Sequence, residues 1–580
     1  MRTCIGAGRI RGLGALRSGL AMVALVVATA NAEPFFEHIE IAPGQEGGQA
    51  YTCLEMLPDG TLITPYALNN QSIWVVKSTD HGRTWGAPEK VFTNPPGGYS
   101  CDPNMFVLGQ TVGVLPTRVP PPYPPYVRTE TWGAFSSDGA KTWGEPELLS
   151  TPHKYLVGTI HRMIVLDDGR LLMPASYEVN AEKGEAPSNE GTMLIASGVL
   201  VSADEGRTWV DQGPFVTGKP PHRGGTDGMD EPAIVRLPNG ELFMVARTGD
   251  IHPWEARSND DGKTWSEPLA SPLMGNNAPT AMATLDNGWV VRVWDNALSG
   301  RAPLCVTLSK DNGHTWCRPR NITTGYGAYP SVIQAADGTI VATYNAPVAG
   351  RKERLRVHVA RFNTEWVLEA QKLPAVAFVG GSMTIGTRRT VPASSTFVPR
   401  LVAMSRQQAL PVIGENHGVP SDTTVGARER IDAVLAGGPS IVVLEYGHCD
   451  SWMVDGKARS SPRVPIELFE SNLRALVAKV RKAGATPVLM TGNRVTRQGV
   501  TYEFANWYDD HEPNEMLDKY YDLVRKVAAD TQTPLADVAK AWEALDKPEE
   551  YMSDGQHASV KGQDIYLRVL SEALLPLLNR

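Results

Sequence analysis

An octet that returns five times limits what this chain can fold into more than any other feature. STDHGRTW (78 to 85), SSDGAKTW (136 to 143), SADEGRTW (202 to 209), SNDDGKTW (258 to 265) and SKDNGHTW (309 to 316) all obey S-x-D-x-x-x-T-W, four of them with glycine at the fifth place. Such an octet is a tight hairpin: the aspartate accepts backbone N–H bonds inside the turn, glycine supplies a positive φ, and tryptophan packs the turn on the next strand. These aspartates are therefore read as structural. Between octets, MLPDGTLI, VLDDGRLLM, RLPNGELFMV, TLDNGWVVRV and QAADGTIVATY place Asp-Gly or Asn-Gly between apolar segments, the strongest short-range hairpin signal. The octets begin 51 to 66 residues apart, room for a four-stranded blade with long loops. A β-propeller is the architecture that stacks such units radially.

The octets resemble the Asp-box, or BNR repeat, of sialidases and sialidase-like six-bladed propellers, and the resemblance covers roughly residues 36 to 370. It implies an all-β propeller whose centre holds a carboxylate-binding arginine cluster, a tyrosine nucleophile with a glutamate partner, and an acid aspartate. Glu231 in MDEPAIVRLPNG resembles the glutamate, Arg247 in MVARTG the second arginine, Arg301 in SGRAPLCVTLS the third, and Tyr329 in GAYPSVIQAADG the nucleophile. The first-blade stretch GGQAYTCLEMLPDG contains no arginine, and ALNNQSIWVV, where the acid is expected, contains no carboxylate. Asp102, Asp227 and Asp230 are the candidates to replace that acid. Loss of an arginine removes one charge-assisted bidentate contact to a substrate carboxylate. The pocket is therefore read either as a glycosidase site or as a glycan-binding site without chemistry.

After RFNTEWVLEAQKLP the pattern changes. AVAFVG, QALPVIG, SIVVLEYG, TPVLMTG and TPLADV read as strands, alternating with segments such as PIELFESNLRALVAKVRKAG whose apolar residues recur at helical spacing. This alternation specifies a parallel sheet covered on both faces, with active residues at the carboxyl ends of its strands. Ser382, in FVGGSMTIG, follows the first strand directly. Asp554 and His557, in SDGQHASVKGQ, stand three apart on the way into the last helix, the spacing that sets a carboxylate against an imidazole as base and orienter for a hydroxyl nucleophile.

Residues 374 to 580 resemble the SGNH, or GDSL-type, hydrolases. The resemblance implies a three-layer, flavodoxin-like α/β domain in which Ser382, His557 and Asp554 are nucleophile, base and orienter. GGSMTIG carries Gly381 where the family has aspartate. NHGVPSDTT carries Ser421 in place of the glycine whose N–H helps bind the oxyanion, and GHCD carries Cys449 in place of the oxyanion-hole asparagine. A thiol is a poor donor beside an amide.

The expected organisation is thus a signal peptide over 1 to 32, a propeller over 33 to 372 and the hydrolase domain over 373 to 580. Arg2, Arg9, Arg11 and Arg17 precede the apolar run GLAMVALVVATA and an Ala30-Asn31-Ala32 exit, the layout of a cleaved secretory signal, so a secreted or periplasmic location is expected. The net charge of -8 with no basic stripe argues against nucleic acid, and no later run suits membrane insertion. An export compartment would permit disulfides, Cys305 with Cys317 and Cys53 with Cys101 being the pairs considered. No metal or other cofactor is called for, the lone His448 lacking a second ligand cluster at suitable spacing. The function expected is a serine esterase, an O-acetylesterase, acting on an acylated and possibly sialylated glycan held near the propeller.

Overall fold

The structure is a computed structural model that describes residues 33–121, 128–158, 160–183, 193–220, 227–250, 252–275, 277–297, 300–348, 351–386, 391, 395–455, 460–500 and 507–579. The expected signal segment lies outside these residues. Six sheets, antiparallel apart from the parallel pairing of Asp227–Gly228 with Leu194–Ser202 in the third, run in sequence order as blades: 49–93, 99–148, 156–228, 230–270, 281–323 and 328–362. The ring is closed by the strand Phe36–Glu40, which pairs antiparallel with the outermost strand of the sixth blade, Phe36 opposite Phe362. The Asp-Gly and Asn-Gly pairs between octets turn the first strand of five blades into the second, Gly109-Gln110 does so in the second blade, and each octet turns a third strand into the fourth.

The octet at 258 shows how the repeat works. Asp260 accepts from the Thr264 amide (2.9 Å), the Thr264 hydroxyl (2.7 Å) and the Ser258 hydroxyl (2.8 Å), while the Ser258 oxygen accepts from the Gly262 amide (2.8 Å). The Thr264 hydrogen bonds hold the Asp260 carboxyl below its ordinary value. The turn needs two consecutive residues at positive φ: His81, Glu205, Asp261 and Asn312 at the fourth place as well as the glycines at the fifth. The second octet meets the same need with Gly139 and Ala140, the latter at φ 61°. A Cβ on Gly262 would lie 2.4 Å from Val199 Cγ2 of the preceding blade, so this glycine serves close approach as well as turn geometry.

The connection to the second domain is ordered. Asn363 caps a short helix, Thr364–Glu369, by accepting from the Trp366 amide (3.0 Å), and a 3-10 turn, Ala370–Lys372, leads straight into the strand Ala375–Gly380. Arg318 of the fifth blade donates to the Leu373 carbonyl and to the Gly438 carbonyl of the second domain, both at 2.6 Å.

That domain is a five-stranded all-parallel sheet in the order Ile413–Gly418, Ala375–Gly380, Ile441–Glu445, Thr486–Thr491, Leu535–Asp537. Its central strands are buried on both faces. Val376 and Phe378 pack with Phe397, Tyr566 and Leu570 on one side, Ala377 and Val379 with Ile431, Leu473 and Tyr520 on the other. One expected strand is displaced: Gln408, Ala409 and Leu410 of QALPVIG follow the helix Phe397–Gln407, with Ala409 at φ 59° and the Leu410 amide bonded to the Ser405 carbonyl, and the strand proper is IGENHG. Neither cysteine pair considered is bonded: Cys53, Cys101, Cys305 and Cys317 are all free thiols. Cys305 sits opposite Asn321 and donates to its Oδ1 (3.0 Å), whereas Cys317 pairs its amide with Leu308, three residues out of register.

Candidate active site

The strand order puts the reversal of direction between Ala375–Gly380 and Ile441–Glu445, where ligands of such sheets bind. Ser382 opens a four-residue helix, Ser382–Ile385, immediately beyond the first of these strands. Glycines make that turn possible: a Cβ on Gly380 would fall 2.3 Å from Thr384 Oγ1 and 2.6 Å from the Glu445 carbonyl, and one on Gly418 2.6 Å from the Ile385 amide. Asn416 anchors the far end by donating to the Thr384 carbonyl (2.8 Å).

His557 arrives from 175 residues away, its Nε2 2.9 Å from Ser382 Oγ. Asp554 shapes the approach by accepting from the amides of Gln556 (3.0 Å) and His557 (2.8 Å), and its carboxylate meets His557 Nδ1 at 2.8 Å. Burial pushes this carboxyl up, but the His557 ring and amide outweigh it and hold Asp554 well below the ordinary carboxylate range. A carboxylate facing Nδ1 fixes the ring proton there and leaves Nε2 to accept from the serine hydroxyl. Ser559 then caps the last helix, Val560–Leu578.

The pocket beside Ser382 is lined by Gly381, Met383, Asp422, Glu445, Tyr446, His448 and Cys449. Cys449 Sγ lies 3.6 Å from where a Cβ on Gly381 would stand, so two of the three departures from the expected pattern face each other. Burial, then Glu445 and Asp450, push the Cys449 thiol up, so it stays protonated. Asp450, fully buried, ties the Gly447–Ser451 turn to the neighbouring helix by accepting from the Thr424 amide (2.8 Å) and hydroxyl (2.6 Å). Ser421 is exposed at φ 58°, the left-handed conformation that glycine would adopt freely. Sequence reasoning passed over Glu445 and the bonded group Asp422–Arg430–Tyr446, in which Arg430 reaches Asp422 at 2.5 Å and Tyr446 at 2.9 Å. The signal available was a glutamate ending an otherwise apolar strand, SIVVLE.

In the propeller, Tyr51, Asp102, Glu231 and Tyr329 stand at or near the start of the innermost strands of four blades, all at positive φ. Arg247 donates to Glu231 (2.8 Å) and to Asn277; Arg301 lies over the Tyr329 ring at 4.6 Å; Tyr51 meets that ring edge-on at 4.6 Å. Glu231, Arg247, Arg301 and Tyr329 are thus brought together. Asp230 lies beside them, accepting from Ser176 (2.9 Å), and is pushed up to about 6 by burial and by Glu231. Asp102 rises to about 7 for the same two reasons. Asp227 pairs instead with Leu194 of the third blade.

Comparison with known proteins agrees with both halves. Residues 121–341 match the BNR repeat-like domain and residues 378–565 the GDSL-like lipase/acylhydrolase family. A sialidase of Micromonospora viridifaciens is 27% identical over 423 residues, which is 63% of this chain and 59% of that protein, so the chain spans less than two thirds of this relative. Among solved structures, the Hadza microbial sialidase Hz136 aligns with a TM-score of 0.46 at 17% identity, covering 55% of this chain and 66% of its own. A Trypanosoma rangeli sialidase aligns at 0.45 and 16% identity over 68% of this chain and 66% of its own. The chain therefore joins a sialidase-like BNR-repeat propeller to a GDSL-like acylhydrolase domain.

Proposed function

We propose that the chain is a serine esterase that removes acyl groups, acetyl foremost, from a glycan. The observation that carries this reading is the continuous relay from Asp554 through His557 to Ser382 at 2.8 and 2.9 Å. Ser382 Oγ attacks the ester carbonyl as its proton passes to His557 Nε2. The tetrahedral intermediate collapses when Nε2 returns that proton to the departing sugar oxygen, leaving an acyl-serine. Water, deprotonated by the same nitrogen, then releases the acid and restores the hydroxyl. Asp554 holds the imidazolium throughout. The amides of Ser382 and Ser421 are the oxyanion donors, with the Cys449 S–H a weak third. Acetate release from an acetate ester and from O-acetylated glycans, compared between the intact protein and Ser382→Ala, tests the reading: release should fall by about 10⁴-fold or more, and release that survives the substitution would sink it.

For the propeller, the specific observation is that Arg247, bonded to Glu231 (2.8 Å), and Arg301, over the Tyr329 ring, are gathered in a pocket whose first-blade stretches lack the arginine and the acid carboxylate. This favours a pocket that holds a sugar over one that cleaves it. Glycan binding weakened by Arg247→Ala or Arg301→Ala is expected, and glycoside turnover abolished by Tyr329→Phe would replace this view with hydrolysis.

A further inference from the structure

Glu445 ends the strand next to the nucleophile, directly opposite Gly380 in the parallel register. Its side chain is buried under the Ser382 turn: Oε2 accepts from the Thr384 hydroxyl at 3.1 Å, and the carboxyl lies against the amides of Gly381 and Thr384. Two glycines give it room. The missing Cβ of Gly380 admits the Glu445 backbone, and a Cβ on Gly492 would stand 2.9 Å from Oε1. That Oε1 is buried and has no hydrogen-bond partner among the described residues. A side chain at 381 would point toward Cys449 and the Asp422 carbonyl, so the Glu445 carboxyl borders the nucleophile turn from its own side, the neighbouring strand.

We propose that Glu445 is a positioning residue of the esterase site: its carboxyl, accepting from the Thr384 hydroxyl beneath the Gly381–Thr384 turn, holds that turn so that the Ser382 amide meets the oxyanion. This rests on the esterase reading above. The charged form strengthens the hydrogen bonds from Thr384 and Gly381 but acts against the reaction by placing a negative charge beside the site where the oxyanion develops. Burial chiefly sets the protonation, raising the carboxyl to about 8, with Asp450 adding to the rise and the Thr384 hydroxyl and Gly381 amide opposing it. The other titratable groups facing it are the Cys449 thiol and the Tyr521 phenol, both held protonated chiefly by burial. The nearby Arg430 is bonded to Asp422 and Tyr446. The sign follows: the acid is neutral below about 8, so kcat should fall as pH rises through that value.

The test is the pH profile of kcat and KM for acetate release from an acetate ester, run beside the pH dependence of Ser382 phosphonylation by a fluorophosphonate probe. In the intact protein both rates should drop above about pH 8 while KM changes little. Glu445→Gln should lower kcat several-fold at neutral pH and abolish the alkaline drop, whereas Glu445→Ala should cost roughly 10²-fold. Thr384→Val supplies a second variant should the glutamate substitutions not fold. The Thr384 hydrogen bond lowers this carboxyl's pKa, so its loss should move the drop to higher pH. An alkaline drop that is unchanged in Glu445→Gln, or left in place by Thr384→Val, overturns the role of Glu445 alone. Failure of the intact protein both to release acetate and to label at any pH overturns the esterase reading and this inference with it.

Discussion

On the proposed esterase reading, replacing Cys449 by asparagine probes the oxyanion site where this chain departs from the hydrolases it resembles. The thiol is 6% exposed and protonated, so at most it offers a neutral S–H donor. Removing it as Cys449→Ala should therefore cost less than about tenfold in kcat, the upper range for a neutral hydrogen bond. An amide at 449 would supply the missing strong donor, and one such donor is worth roughly 10² to 10³ in rate. The extra atoms enter a packed turn, where overpacking costs about 1 to 3 kcal/mol. The open side is toward Gly381, where even an added Cβ would stand 3.6 Å from the sulfur, so the amide has a direction in which to extend. The assay is steady-state acetate release with thermal unfolding measured in parallel. Cys449→Asn should be faster than the natural protein and somewhat less stable. A variant that unfolds at the natural temperature yet gains no rate would refute the placement of position 449 beside the oxyanion, and a loss of 10² or more in Cys449→Ala would show the thiol to be a major donor.

Three further outcomes are expected. Asp554→Asn should lower kcat by about 10⁴-fold with little change in KM, because an amide facing Nδ1 favours the wrong imidazole tautomer; a loss under tenfold would contradict the relay. In the propeller, Asp102 is raised to about 7 in the folded chain, above its ordinary value of about 3.9, so its contribution to stability declines as pH rises between those values. Asp102→Asn should consequently gain in Tm relative to the natural protein as pH rises from about 4 to about 7, and a difference independent of pH would refute this. Gly262→Ala, at φ 84° with its new methyl 2.4 Å from Val199, should destabilise the chain by about 2 to 4 kcal/mol in urea unfolding, whereas Ala140→Gly at the equivalent turn should change stability by no more than about 1 kcal/mol.

What could be read from the sequence was what the chain settles locally. The octets encode their own turn within eight residues, so six blades follow from five boxes and the hairpin pairs between them. Asp554 and His557 were legible for the same reason, since the aspartate shapes the loop that carries the histidine. Ser382 was legible as the residue that a parallel sheet presents at a strand end. Position in the sequence conveyed nothing, by contrast, about groups that meet only through the fold. Glu445 approaches Thr384 across 61 residues, and Tyr51 meets the Tyr329 ring through closure of the propeller. The strand IGENHG escaped notice because its polar residues mask the strand pattern: Asn416 serves the Ser382 turn, while Glu415 and His417 bond each other. Hairpin proximity suggested a bond between Cys305 and Cys317, but register decides which side chains face each other, and it pairs Cys305 with Asn321.

The central claim is that Ser382 is acylated by a carbohydrate ester, and trapping that intermediate tests it most directly. Intact-protein and peptide mass spectrometry after rapid acid quench of the enzyme with an O-acetylated glycan should show one acetyl group on the peptide carrying Ser382, absent from Ser382→Ala. Acetate release without acylation of that peptide, or acylation of another residue, would contradict the account.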